Sequence, residues 1–186
     1  MFGQDNNHLI VWESALKQSI NVYELIYAGN AVNDIRMIAK IEPLQKPQLG
    51  LRSLQMTPNR QYLLGGYCDG KMRLISTLSW RESFAFDHCQ KLDEINETNS
   101  TPELNIYVES ETNEDGPLYE AVSKPFKIEK LNQQDMATLK DGLPRVGVSR
   151  ICVSHCSQYA ATISESCPNY IWIWDMQRLC LNSLIV

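Results

Sequence analysis

Residues 61–80 read QYLLGGYCDGKMRLISTLSW, and this stretch decides the fold. Tyr62–Tyr67 is an apolar run of strand length. Asp69-Gly70 follows it as a tight turn, because Gly tolerates the positive φ that short hairpins need. Lys71–Ser76 then alternates outward charge with inward apolar groups, the period of two that marks a strand. Working outward, Leu54-Gln55-Met56 reads as a strand ending at the turn Thr57-Pro58-Asn59-Arg60, and the segment from Trp80 to Phe86 as a fourth strand. The passage from Arg52 to Phe86 is therefore expected to form a four-stranded antiparallel meander.

The same pattern recurs near the other end. The segment Ser149 to Val153 is a strand, Ser154 to Gln158 a polar turn, and Tyr159 to Ser164 the second strand. Cys167-Pro168-Asn169 makes the next turn, Tyr170 to Asp175 is the third strand, and Leu179 to Val186 the fourth. Gln61-Tyr62 falls on Gln158-Tyr159 at an offset of 97, and Ser76 falls on Asp175 at 99, so the later unit's turn is two residues longer. A third, incomplete copy opens the chain. His8–Trp12 aligns with the second strand and the segment Ile20 to Leu25 with the third, while Phe2 to Asn6 reads as the tail of a truncated first strand. Trp12-Glu13 imitates a closing Trp-Asp but falls one strand too early in this alignment.

Repeats of about 40 residues, with four strands and a Trp-Asp end, are the signature of WD-repeat β-propeller blades. A blade has two apolar faces and cannot bury them alone, so blades must stack. Trp172 and Trp174 share one face of their strand and Ile171 and Ile173 the other, as a strand sandwiched between neighbours requires. The expected architecture is all-β: a partial WD40-type propeller of about three four-stranded antiparallel blades in an open arc, with a polar insertion. Residues 1–47 are assigned to an incomplete blade, 48–89 to a complete blade, 90–146 to an acidic insertion with candidate edge strands, and 147–186 to a second complete blade. A closed ring takes about 4–8 blades. The chain is thus expected to be part of a larger ring, through truncation, a short isoform or a fragmentary gene model, and to need missing blades or another chain for closure. Within the insertion, Leu104 to Glu109 reads as an edge strand and Ser110 to Gly116 as a loop tip. Tyr119 to Leu131 reads as a further strand confined to an edge by Pro125, and Leu131 to Leu139 as a short helix.

Composition bounds the function. The chain has 186 residues, with 44% hydrophobic and 21% charged residues, ordinary globular usage. Its formal charge of −5 and the lack of a basic cluster argue against nucleic acid as a partner. No run approaches the roughly 18 apolar residues of a membrane-spanning helix. The N-terminus lacks the basic start and apolar core of a secretory signal. Six cysteines without a C-x-x-C pair then point to reduced thiols in the cytosol or nucleus.

The chemistry of enzymes is missing from the sequence. There is no G-x-x-x-x-G-K-[ST] or G-x-G-x-x-G to cradle phosphate. There is no G-x-S-x-G elbow, and His8, His88 and His155 fall at a strand start and in two turns. Cys152, His155 and Cys156 come nearest to zinc-ligand spacing but lack a fourth ligand, so they read as a plain turn. The acidic run through Glu109, Glu111, Glu114 and Asp115 lacks EF-hand spacing. No catalytic, cofactor-binding or metal residue is assigned, no cofactor is expected, and the chain is read as not an enzyme. The residues singled out are structural: Asp69, Gly70, Thr162, Trp172, Trp174 and Asp175. Many WD repeats carry a Trp–Ser/Thr–His–Asp hydrogen-bonded network. Here it reads as broken, because Ile75 occupies the Trp position above Asp69 and Trp174 has no Gly-His upstream. Thr162 or Ser164 to Trp174 is the remnant bond expected.

The segments HLIVWES, SINVYEL, QYLLGGYCDGKMRLI and SCPNYIWIWDMQRL carry a closer likeness. Over residues 8–88 and 146–186 the chain resembles the WD-repeat family of the centrosome and spindle pole, the one encoded antisense to the tumour protein seventy-three gene. The resemblance implies a non-catalytic scaffold that supports microtubule anchoring and mitotic spindle organisation. It implies a coiled-coil centrosomal or spindle-anchoring partner of the synovial-sarcoma-X-interacting type, and a location in the cytoplasm and cytoskeleton, at the centrosome or spindle pole. Members of that family are longer, with further blades on both sides. Two other readings stay open: a generic cytosolic WD-repeat adaptor, and a phosphoinositide-binding propeller. The second needs paired basic residues, whereas Arg145 and Arg150 stand apart.

Overall fold

The computed structural model describes residues 7–12, 19–42, 50–88, 104–113, 116–122, 128 and 147–186. Every element among them is a β-strand, and the strands form three sheets. The first sheet orders β1 (His8–Trp12), β2 (Ile20–Ala28) and β3 (Ala31–Ile41) as a meander. The second orders β4 (Leu51–Met56), β5 (Tyr62–Tyr67), β6 (Lys71–Ser76) and β7 (Arg81–Asp87) likewise. The third has six strands. Its meander is β10 (Val148–Val153), β11 (Tyr159–Ser164), β12 (Cys167–Asp175) and β13 (Cys180–Ile185). Beyond β13 lie β8 (Asn105–Asn113) and then β9 (Gly116–Val122).

The four-strand meanders of the second and third sheets share turn bonds and backbone geometry at equivalent positions. Thr57 N donates to Tyr62 O at 2.9 Å, and Ser154 N donates to Tyr159 O at 2.9 Å. Arg60 N reaches Thr57 O at 2.9 Å, and Ser157 N reaches Ser154 O at 2.8 Å. Arg60 (φ 62°) and Ser157 (φ 59°) take the same left-handed backbone, as do Trp80 (φ 53°) and Leu179 (φ 55°). These matches reproduce the offsets of 97 and 99 read from the sequence. Sequence periodicity and backbone geometry describe one module used twice.

The sheets stack face to face, and the middle one is apolar on both sides. Leu63, Tyr67 and Ile75 on one face pack with Ile10, Ile20, Val22 and Ile41 of the first sheet. Leu64, Met72, Leu74 and Phe86 on the other face pack with Trp172, Trp174, Leu181 and Leu184 of the third. The alternation of period two sends neighbouring residues such as Leu63 and Leu64 to opposite cores. Stacking is close at the inner strands. A Cβ on Gly66 would lie 2.3 Å from Ser53 Oγ and 2.5 Å from the Val148 carbonyl, so glycine is what lets β10 cross β5 there. The fold is a partial β-propeller, an arc of three blades that does not close.

Several elements differ from the sequence reading. Trp80 lies in the turn between β6 and β7, where its positive φ closes the turn and β7 starts only at Arg81. Cys167-Pro168-Asn169 belongs to β12, and a register shift between Ile163 and Ser164 accommodates the extra residues; the turn is made at Glu165-Ser166. Leu104 to Glu109 falls in no edge strand, because β8 is flanked on both sides: parallel by β13 and antiparallel by β9. Glu109 N donates to Val186 O and Val186 N to Tyr107 O, which zips β8 onto the outer strand of the third blade. Ser110 to Asn113 belongs to β8 rather than to a loop, and β9 begins at Gly116, while residues 114–115 lie outside the described residues. The reading of Phe2 to Asn6, of Pro125 and of a helix over 131–139 lies outside the described residues.

Candidate functional site

The polar core of the arc sits where the second and third blades meet, and His88 organises it. His88 follows β7 and its ring packs edge-on against both Trp172 and Trp174, with centroids at 5.3 Å and 5.1 Å and steeply inclined planes. The two indoles stack on each other at 5.9 Å. Nδ1 of His88 lies 2.9 Å from the Gly70 carbonyl and Nε2 lies 2.7 Å from Thr162 Oγ1. A carbonyl only accepts, so Nδ1 carries the proton and Nε2 accepts from the threonine hydroxyl. Trp174 Nε1 in turn donates to Thr162 Oγ1 at 2.8 Å. The result is one directed chain, Trp174 to Thr162 to His88 to Gly70, which ties the third blade to the second. Burial holds the imidazole neutral and pushes its pKa down to about 4.

The network that the sequence reading took as broken is therefore closed for Trp174. Thr162 is its partner, as expected, but the histidine comes from 74 residues upstream, before the insertion, and a backbone carbonyl stands in place of an aspartate. A signal was available: Asp87-His88 directly follows the fourth strand of the preceding blade, where a Gly-His would stand if no insertion intervened. Asp69 takes another role. Its carboxylate receives two nitrogens of the Arg73 guanidinium, with Nη1 at 3.1 Å from Oδ1, and its Oδ1 accepts Lys71 N at 3.1 Å. Arg73 is buried, pairs also with Glu82 at 3.4 Å, and lies 4.4 Å over the Tyr67 ring. Burial pushes the Tyr67 hydroxyl up to about 12, so it stays protonated under the cation. Gly70 turns the hairpin at φ 80°. Asp175 accepts Gln177 N at 2.9 Å and Arg178 N at 2.8 Å, capping the turn after β12. Across the same blade junction Arg52 pairs with Glu165, and Ser53 Oγ donates to Val148 O at 2.7 Å.

Around this rigid junction lie three open surfaces. The outer face of the first blade carries the cross-strand pairs Tyr23–Met37 and Tyr27–Val32, with Ile35 between them. Ile35 is 53% exposed and Met37 55%. The outer face of the third blade forms a groove of about 440 Å3 lined by Arg150, Cys152, Ala161, Ile163 and Ile171 among others. The third surface is the β8–β9 hairpin, where Leu118, Tyr119 and Val122 stand exposed. Cys152 and Cys156 are exposed at the β10 end and the turn that follows. Among the described residues no three His, Cys, Asp or Glu side chains converge as metal ligands, and no helix is long and apolar enough to cross a membrane. What the described arrangement offers chemically is broad strand surface held by a stiff core.

No protein-family model matches the chain. It is similar to the WD repeat-containing protein WRAP73 of Mus musculus, with 27% identity over 93% of this chain and 38% of that protein. It is also similar to an uncharacterised WD repeat-containing protein of Schizosaccharomyces pombe, with 25% identity over 98% of this chain and 33% of that protein. The chain thus spans between a third and two fifths of the length of these relatives. Together with the repeated blades, both likenesses support the reading of this chain as a WD-repeat protein.

Proposed function

We propose that the chain belongs to a non-catalytic protein-binding scaffold of the centrosome or spindle pole, supporting microtubule anchoring and mitotic spindle assembly. The observation that carries the scaffold class is the contrast between a blade junction tied by the Trp174–Thr162–His88–Gly70 chain and broad exposed strand surfaces around it. The location rests on the resemblance of QYLLGGYCDGKMRLI and SCPNYIWIWDMQRL to the spindle-pole WD-repeat family, and the similarity to mouse WRAP73 is in keeping with it. The partner we propose is a coiled-coil centrosomal protein of the synovial-sarcoma-X-interacting type, engaged within the longer architecture that the relatives' lengths imply.

The test is co-precipitation of that coiled-coil protein with the tagged chain from mitotic cells, alongside imaging of the tag. Enrichment at the poles and recovery of the partner are expected. A diffuse signal with no recovery overturns the location and leaves a cytosolic WD-repeat adaptor as the reading.

A further inference from the structure

The β8–β9 hairpin has a free side. In the six-stranded sheet β9 is terminal, and among the described residues no strand pairs with its outer edge. Pro117, Leu118, Tyr119, Glu120, Ala121 and Val122 are all exposed. Such an edge presents an unpaired row of backbone N–H and C=O groups, ready to template another strand. Proteins usually blunt an edge of this kind with lysine. Here the reverse holds. Between Leu92 and Val122 the sequence places nine of its 22 carboxylates and none of its 17 Lys and Arg. The chain outside this segment is net positive, so the excess negative charge of the molecule belongs to the stretch that contains the hairpin.

The faces of the edge specify a pattern. Leu118, Glu120 and Val122 share one face, at successive positions of period two. Their exposures include 51% for Leu118 and 39% for Val122. Tyr119, 48% exposed, lies on the opposite face beside Glu109 of β8. Cross-strand neighbours interact on each face, and opposite charges directly across stabilise the pairing. The fitting occupant is therefore an extended strand with a cation between two apolar residues at alternate positions, apolar–x–basic–x–apolar. A helix, which satisfies its own backbone groups, gains nothing from this edge.

We infer that the outer edge of β9 is a docking site for an extended basic segment of a partner protein, bound by strand addition with its cation facing Glu120. This deepens the scaffold reading and rests on it for the partner's existence. Its test uses only the purified chain, so the two can fail separately.

The probe is an acetylated peptide of the order Thr-Lys-Val-Thr-Lys-Thr-Val-Lys-Thr, titrated by fluorescence anisotropy at physiological salt. A scrambled peptide with its three lysines and two valines in separate blocks keeps the charge and loses the alternation. The alternating peptide is expected to bind and to slow amide hydrogen exchange across 117–122, while the scrambled one binds at least several-fold more weakly. Glu120→Lys should weaken binding about tenfold, since an attractive cross-strand pair becomes repulsive. The double variant Leu118→Lys/Val122→Lys, which blunts the edge at exposed positions, should abolish it with the thermal unfolding midpoint unchanged. Equal binding of both peptides, indifference to Glu120→Lys, or slowed exchange elsewhere than 117–122 each overturns the proposal. So does failure of the alternating peptide to bind.

Discussion

His88 shows how much one side chain decides at this junction. Its ring satisfies a carbonyl of one blade and a hydroxyl of the next while filling the space against two indoles. His88→Ala would leave both polar groups buried without that partner and open a void. The expected loss is about 3 kcal/mol of unfolding free energy in urea titrations. The pH dependence has a definite sign. Its folded pKa of about 4 lies below the ordinary 6.5, so the unfolded chain binds the proton more readily. The stabilisation is fully present above pH 6.5 and drains away as pH falls toward 4. Between pH 6.5 and 5, above the carboxylate range, this group alone should cost on the order of 1–2 kcal/mol, and His88→Ala should remove that part of the slope. Cys156 gives a second test at this scale. It is exposed, and the Ser154 hydroxyl beside it holds its thiol below the ordinary value, whereas burial pushes Cys68 up. Iodoacetamide should modify Cys156 well before Cys68, as peptide mapping by mass spectrometry would read.

Strands and turns that depend on neighbours in sequence were legible; pairings between distant segments were not. The meander β4–β7 could be read because the period of two and the Asp-Gly turn act within a few residues. The start of β12 was hidden because Pro168-Asn169 looks like a turn by composition, while in the fold it is absorbed as an irregularity against β11. Nothing local encodes the parallel docking of β8 on β13, since the two strands are far apart in sequence and only their meeting defines the pair. The closing of the Trp174 network was hidden for the same reason: the insertion separates His88 from its threonine. Gly66 offers a test of how tightly two blades are joined. Gly66→Ala sets a methyl against the Val148 carbonyl and Ser53 Oγ, so β10 must move outward and loosen the Ser53–Val148 bond and the Arg52–Glu165 pair that span the junction. A loss of about 2 kcal/mol is expected, with the amides of 148–153 exchanging faster while those of β6 stay protected.

Among the described residues, the three blades bury the faces they turn to each other and leave the two outer faces uncovered. The outer face of the first blade is the more apolar and the more exposed of the two, through Ile35 and Met37. Exposed apolar area of this kind drives association. Isolated chains should therefore form concentration-dependent oligomers in light scattering, and Ile35→Lys/Met37→Lys should lower the apparent mass without shifting the unfolding midpoint. The hairpin β8–β9 carries a consequence for biosynthesis. It leaves the ribosome about 70 residues ahead of β13, the strand it must lie against. At roughly 5–20 residues per second, translation keeps it waiting about 4–14 seconds. For that interval Ile106 and Val108, bound for the core, face solvent on a two-stranded ribbon too small to hold its shape. The nascent chain is then a client for whatever chaperone meets it at the exit tunnel.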